Sequence, residues 1–150
     1  MSKSYNKVVA LRRAAHSLYD TQYHIVWAPR YRKKILQGAV GQRAKELIEE
    51  IAMAHDIVIE ELEVSVDHVH LFCSFPPRLS ISQVVMRLKS LSARAIFQEY
   101  PQVKRQLWGG EFWEHGYFVR TVGDKVTAQV IQKYIRSHQE DKDNPQLNLF

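Results

Sequence analysis

The stretch from Ile57 to Phe75, IVIEELEVSVDHVHLFCSF, constrains this chain more than any other. It is rich in β-branched and aromatic residues, which suit a pleated, half-buried surface. It also runs far past the roughly 5–6 residues of an ordinary strand. Such a segment has to double back, and the spacing predicts a hairpin turning near Ser65–Asp67, although no Asn-Gly turn signal is present. Pro76 and Pro77 end it. In the second arm His68 and His70 are two residues apart, so on a strand both imidazoles project from one face. Two neutral imidazoles held side by side supply two ligands for a divalent metal. The same pattern also fits a pair of ordinary strand histidines bonded to their neighbours.

The rest of the chain frames this hairpin with helices. Tyr23–Trp27 reads as a first strand closed by Pro29, and Arg30-Tyr31-Arg32-Lys33-Lys34 sets four cations around one aromatic ring. That cluster suits either a solvated turn or a phosphate-gripping edge with a stacking ring. Ala39–His55 carries an apolar stripe (Ala44, Leu47, Ile48, Ile51) at helical spacing. Ser80 caps a second helix, Ile81–Tyr100, whose Ile81, Val84, Val85, Leu88, Leu91, Ala95 and Ile96 share a face. Arg87, Lys89 and Arg94 occupy its other sides, and Pro101 follows its end. Gln102–Gly110 reads as a loop, Phe112-Trp113 as a short β element and Tyr117–Val122 as a strand. Gly123 breaks that strand and Asp124 caps a last helix from Lys125 to Gln139. Residues 1–20 read as a basic leader, a loose helix or an arm, and 140–150 as a polar tail, leaving 21–139 as the domain. Strands interleaved with helices around one hairpin predict an α+β fold: an antiparallel sheet with helices on one face, of ferredoxin-like or RRM-like type.

A chain of 150 residues suits one domain with a real core. No apolar run reaches the roughly 18 residues of a membrane span, and the opening residues lack a secretory apolar core. The single Cys73 cannot form an internal disulfide, and a cytoplasmic location is expected. A net charge of +5 favours a polyanionic partner.

Tyr134 and His138, four residues apart on the last helix, share one face. With that pair in view, several pieces in order resemble the single-tyrosine HUH transposases, enzymes of bacterial and archaeal insertion sequences that move as single-stranded DNA. The matching pieces are Tyr23-His24-Ile25-Val26-Trp27 with Pro29-Arg30-Tyr31-Arg32, and Asp67-His68-Val69-His70-Leu71. Phe112-Trp113 with Gly116-Tyr117, Thr121-Val122-Gly123 and Lys133-Tyr134-Ile135 complete the set. The resemblance runs from about His16 to Gln139.

The resemblance implies that His68 and His70 are the two HUH metal ligands. It implies that Tyr134 attacks a DNA phosphodiester, leaving a 5′-phosphotyrosine and a free 3′-hydroxyl. The family places a Gln four residues after the tyrosine as third ligand; here His138 stands there, with Gln139 next. Helical phase favours His138, because Gln139 points about 100° further round. The ion is Mg²⁺ or Mn²⁺, and three imidazoles tilt binding strength toward Mn²⁺. The resemblance further implies a homodimer whose sheets join edge to edge, with Gly123 as a hinge for the tyrosine helix. It also implies DNA hairpins at the transposon ends as substrate. Arg30, Arg32, Lys33, Lys34, Arg87, Lys89 and Arg94 are the cations available to grip them.

The last five residues have a separate reading. Gln146-Leu147-Asn148-Leu149-Phe150 resembles the peptide with which bacterial proteins dock on the β sliding clamp, Leu149 and Phe150 filling an apolar pocket and Gln146 bonding at its rim. The same segment also suits folding back onto its own dimer. Two other functions remain compatible with the residues alone: a non-catalytic RRM-like nucleic-acid-binding module, and a hydrolase whose histidines activate water through a metal.

Overall fold

The computed structural model describes residues 12–14, 17–19, 21–107 and 110–121. In chain order they form β1 (Arg12–Ala14), β2 (Ser17–Tyr19), β3 (Tyr23–Trp27), a 3-10 turn (Arg30–Arg32), α1 (Gly38–Ala54), β4 (Val58–Ser65) and β5 (His68–Ser74). They continue with α2 (Ile81–Glu99), α3 (Pro101–Gln106) and β6 (Phe118–Thr121). The long β segment does fold as a hairpin, turning at Val66-Asp67 between β4 and β5. β5 and β3 lie inside a four-stranded antiparallel sheet of order β4-β5-β3-β6. With α1 and α2 as the two crossovers this is a βαββαβ unit, the ferredoxin-like arrangement predicted from the element order.

Alternation decides which side chains meet the helices. Along β5, Val69, Leu71 and Cys73 are buried while His68, His70 and Phe72 are half-exposed. Along β3, Ile25 and Trp27 are buried while His24 and Val26 are not. The inward rows pack on Ala44, Leu47, Ile48 and Ala52 of α1 and on Val84, Val85, Leu88 and Ile96 of α2. Each fully buried aliphatic side chain of this kind contributes about 1.5–3 kcal/mol. The start of α2 is fixed by a capping box: the Gln83 N–H donates to Ser80 Oγ at 3.1 Å, and the Ser80 N–H to Gln83 Oε1 at 2.9 Å.

The sheet contains a register shift between Ile59 and Glu61. Ile59 faces the inward Cys73 and Leu62 faces the inward Leu71, although they are three residues apart. The extra residue of a bulge at Glu60 allows both to point to the core.

Two expectations need correction. Within the leader, β1 and β2 pair antiparallel, Arg12 opposite Tyr19, instead of forming a helix or a loose arm. Residues 101–106 are the short helix α3, because Pro101 occupies its first turn, where a missing N–H costs nothing. Phe112-Trp113 is a short β element as expected: Trp113 makes an antiparallel bridge to Pro29, flanked by bonds from the Arg30 N–H to Phe112 and from the Glu114 N–H to Ala28.

Candidate functional site

Facing away from the helices, the sheet presents a grid of side chains fixed by strand register. One row runs Glu61, Phe72, His24, Arg120 across the four strands, and the next runs Glu63, His70, Val26, Phe118. Ser65 and His68 begin a third row. His68 and His70 therefore sit side by side, with ring centroids 5.0 Å apart. The strand that carries them is held on both sides, by β4 and by β3.

Each histidine has a partner on one ring nitrogen. His68 Nδ1 lies 2.8 Å from Asp67 Oδ1, and His70 Nδ1 lies 3.0 Å from His24 Nε2. The hydrogen bond from His68 holds the Asp67 carboxyl below its usual range, with Arg32 adding to the effect. In the neutral form of His68, an ionised Asp67 favours the proton on Nδ1 and leaves Nε2 as the lone pair. Burial lowers the pKa of His24, and His70 and Arg120 push the same way. Arg32 reaches Asp67 Oδ2 at 3.6 Å, so a cation, a carboxylate and an imidazole stand in series.

An open cleft of about 480 Å³ lies against this face, lined by His68, His70, Arg32, Val26 and Trp27, and walled by residues 114–118. The wall is tied down from two directions. The Arg30 N–H donates to the Phe112 carbonyl at 2.8 Å, and the Glu114 N–H to the Ala28 carbonyl at 2.9 Å. From α2, Lys89 Nζ donates to the carbonyls of Glu114 at 2.7 Å and Gly116 at 3.0 Å, and Ser92 Oγ accepts the indole N–H of Trp113 at 2.9 Å. Burial lowers the pKa of the Lys89 ammonium, opposed by Glu114 and Glu111. Tyr117 and Phe118 turn exposed rings outward beside the cleft.

The cations singled out in the sequence occupy different surroundings. Arg32 lines the cleft. Arg30 pairs with Glu111 at 2.6 Å, and Lys33 donates to the Gln106 carbonyl at 2.9 Å. Lys34 is exposed next to them. Arg87 and Arg94 ride on α2, in the helical layer. Tyr134, His138, Gln139, Gly123 and the tail from Gln146 to Phe150 lie outside the described residues. Among the described residues, no group of three His, Cys, Asp or Glu side chains is placed to hold a metal. The pair His68 and His70 still fits half of such a site, since both sit on one rigid face and Asp67 partners His68 through Nδ1, leaving Nε2 for a ligand.

Against known families, residues 17–138 match the model described as "Transposase IS200 like". The chain belongs to the IS200-like transposase family. It is 41% identical over 126 residues to the ISDra2 transposase TnpA of Deinococcus radiodurans, covering 84% of this chain and 89% of that protein. It is 34% identical over 136 residues to the transposase for insertion sequence element IS200 of Salmonella typhimurium, covering 90% and 88%. A crystal structure described as a transposase candidate from Deinococcus radiodurans R1 superposes with a TM-score of 0.68 at 34% identity, covering 84% of this chain and 96% of that one. A REP-associated tyrosine transposase bound to a REP hairpin shares the fold, with a TM-score of 0.53 at 14% identity, covering 87% and 74%. Family membership makes this IS200-like transposase a DNA-processing enzyme. Among the described residues, no helix is long and apolar enough to cross a membrane.

Three groups at the site were not among the residues first assigned a role: His24, Asp67 and the wall aromatics Tyr117 and Phe118. A signal existed for two of them. His24 has the outward phase of its strand, and Asp67 directly precedes the first histidine. Phe118 carries no local signal, because its register opposite Val26 of β3 brings it to the cleft, and Tyr117 lines the cleft from just before β6.

Proposed function

We propose that this IS200-like transposase cleaves and rejoins single-stranded transposon ends through a 5′-phosphotyrosine intermediate, with His68, His70 and His138 as ligands for Mg²⁺ or Mn²⁺. The observation that carries the reading is the placement of His68 and His70 together on the open face, at a cleft that also holds Arg32. When bound, the ion supplies a Lewis acid that polarises the phosphoryl oxygen and stabilises charge on the departing oxygen. The phenol of Tyr134 gives up its proton, and its oxygen attacks phosphorus. The bond from phosphorus to the 3′ oxygen breaks, and that oxygen leaves as a hydroxyl. One phosphodiester replaces another, so a 3′-hydroxyl can reverse the step and join strands without ATP. Arg32, with Arg30, Lys33 and Lys34 beside it, grips the phosphates nearest the cleft. Arg87 and Arg94 meet a separate part of the hairpin, while Lys89 acts by bracing the wall.

The active form in this reading is a homodimer working in the cytoplasm on DNA hairpins, with the tail at Gln146, Leu147, Leu149 and Phe150 docking on the β sliding clamp. A tether of that kind raises the local concentration of single-stranded substrate. One assay tests the chemistry: incubation with a hairpin-bearing single-stranded end and Mn²⁺, followed by a denaturing gel. A covalent protein–DNA adduct that disappears in Tyr134→Phe supports the reading. Adduct-free cleavage would identify a hydrolase, and shifted but intact DNA a non-catalytic binder. Loss of clamp pull-down on deleting residues 146–150 is the corresponding test for the tail.

A further inference from the structure

His24 stands one strand away from the metal-ligand pair, and nothing in the reaction above uses it. Its position follows from register: it faces Phe72 directly, and His70 lies on the diagonal, with ring centroids 5.0 Å apart. At 3.0 Å, His24 Nε2 and His70 Nδ1 are within hydrogen-bond reach. Two neutral imidazoles at that distance require one proton between the facing nitrogens. If it belongs to His24, then His70 carries its own proton on Nε2 and cannot ligate through that atom. If it belongs to His70 Nδ1, then Nε2 of His70 is a bare lone pair facing the cleft.

We propose that His24 is the positioning residue for His70: its Nε2 accepts the Nδ1–H of His70, fixing the tautomer and ring plane that present Nε2 of His70 to the metal. This inference rests on the metal reading above. It makes the two ligands a matched pair with unlike orienters. Asp67 holds the Nδ1–H of His68 at 2.8 Å, and His24 does the same for His70 at 3.0 Å. A ligating histidine typically donates its second ring N–H to such an acceptor. Here the second acceptor is neutral, so it orients His70 without adding negative charge to a cleft that has to admit a phosphodiester. An isolated neutral histidine favours the Nε2–H form, so His70 needs this partner to hold the less common one.

The test uses the full chain labelled with ¹⁵N at histidine, at a pH where these rings are neutral and without added metal. Ring nitrogen shifts should show His70 protonated at Nδ1 in the native protein, with the signal assigned by its loss in His70→Ala. In His24→Phe, which keeps a ring of similar size but no acceptor, His70 should revert to the Nε2–H form. Calorimetric Mn²⁺ affinity should fall about 10- to 100-fold in that variant. His24→Gln, whose amide oxygen can accept in place of Nε2, should restore most of both. A role in packing alone predicts the opposite order, with Phe tolerated and Gln not. Native His70 protonated at Nε2, or Mn²⁺ bound equally well by His24→Phe and native protein, would overturn the inference. If native protein fails to bind Mn²⁺ at all, the metal reading is the one that falls. The tautomer measurement still decides whether His24 controls His70.

Discussion

The cleft wall hangs from α2 by a buried hydroxyl, and removing that hydroxyl gives a prediction whose size can be worked out. Ser92 is fully buried and Trp113 is 5% exposed. Ser92 Oγ donates to the Leu88 carbonyl at 2.6 Å and accepts from the Trp113 indole at 2.9 Å. Ser92→Ala leaves the indole N–H in an apolar setting with no acceptor from Ser92, while the Leu88 carbonyl keeps its bond within the helix. The cost of stranding one buried donor is about 1–3 kcal/mol. At this chain length each kcal/mol lowers Tm by about 2–4 °C, so the expected drop is about 2–12 °C. Urea unfolding should show a lower midpoint with an unchanged slope. The decisive measurement is a double-mutant cycle with Trp113→Phe, which removes the donor. In that background Ser92→Ala should be much cheaper, giving a coupling energy of about 0.5–3 kcal/mol. If Ser92→Ala costs the same in both backgrounds, the bond does not hold the wall and the reasoning is wrong.

Further outcomes follow from other contacts. Gly41→Ala should destabilise the protein in a thermal melt, although alanine is the better helix former by about 1 kcal/mol. A Cβ at Gly41 would lie 2.6 Å from the Leu36 carbonyl oxygen, so the backbone has to shift. Glu111 has a lowered pKa, first through its bond to His115 and then through Arg30. Its stabilising contribution is present above its unfolded value of about 4.5 and is lost as pH falls through the depressed folded value, so Glu111→Gln should flatten the acid limb of a stability-versus-pH curve. Burial pushes the Cys73 thiol up to about 12, so a disulfide reagent at pH about 8 should label it only after denaturation. Truncating either histidine of the proposed metal site, His68→Ala or His70→Ala, should abolish cleavage while a gel shift shows hairpin binding largely intact. Equal loss of both would assign the histidines to DNA binding instead.

Much of this fold is legible in the sequence because its elements carry strong local signals. Tyr23–Trp27 stands out by composition, the turn after Ser65 by the length of the β segment it divides, and Ser80 by its capping geometry. The helices declare their inward faces by spacing. The bulge is harder to read: VIEELEVS breaks strict alternation, and only pairing with Cys73 and Leu71 shows Ile59 and Leu62 on one side. The short helix α3 was hidden by reading Pro101 as a terminator when it also starts a helix. At the site, His68 and His70 are visible because their spacing matches the strand period. The partnership of His24 with His70 spans 46 residues and depends on register, so no local pattern carries it.

The same alternation builds the core and the site, and this limits what the protein can tolerate. A one-residue slip of β5 would carry His68 and His70 into the helices and expose Val69, Leu71 and Cys73. Because β5 has a ladder on each side, such a slip has to break two registers at once. A histidine pair on an interior strand is therefore held more firmly than one on an edge or a loop. The wall from Glu111 to Tyr117 is different: it is irregular backbone secured by bonds from Ala28, α2 and the Arg30–Arg32 turn. Variation in that wall can reshape the cleft without moving the histidines. The placement of the histidines and the shape of the cleft thus rest on separate sets of contacts, one in the sheet and one in the wall.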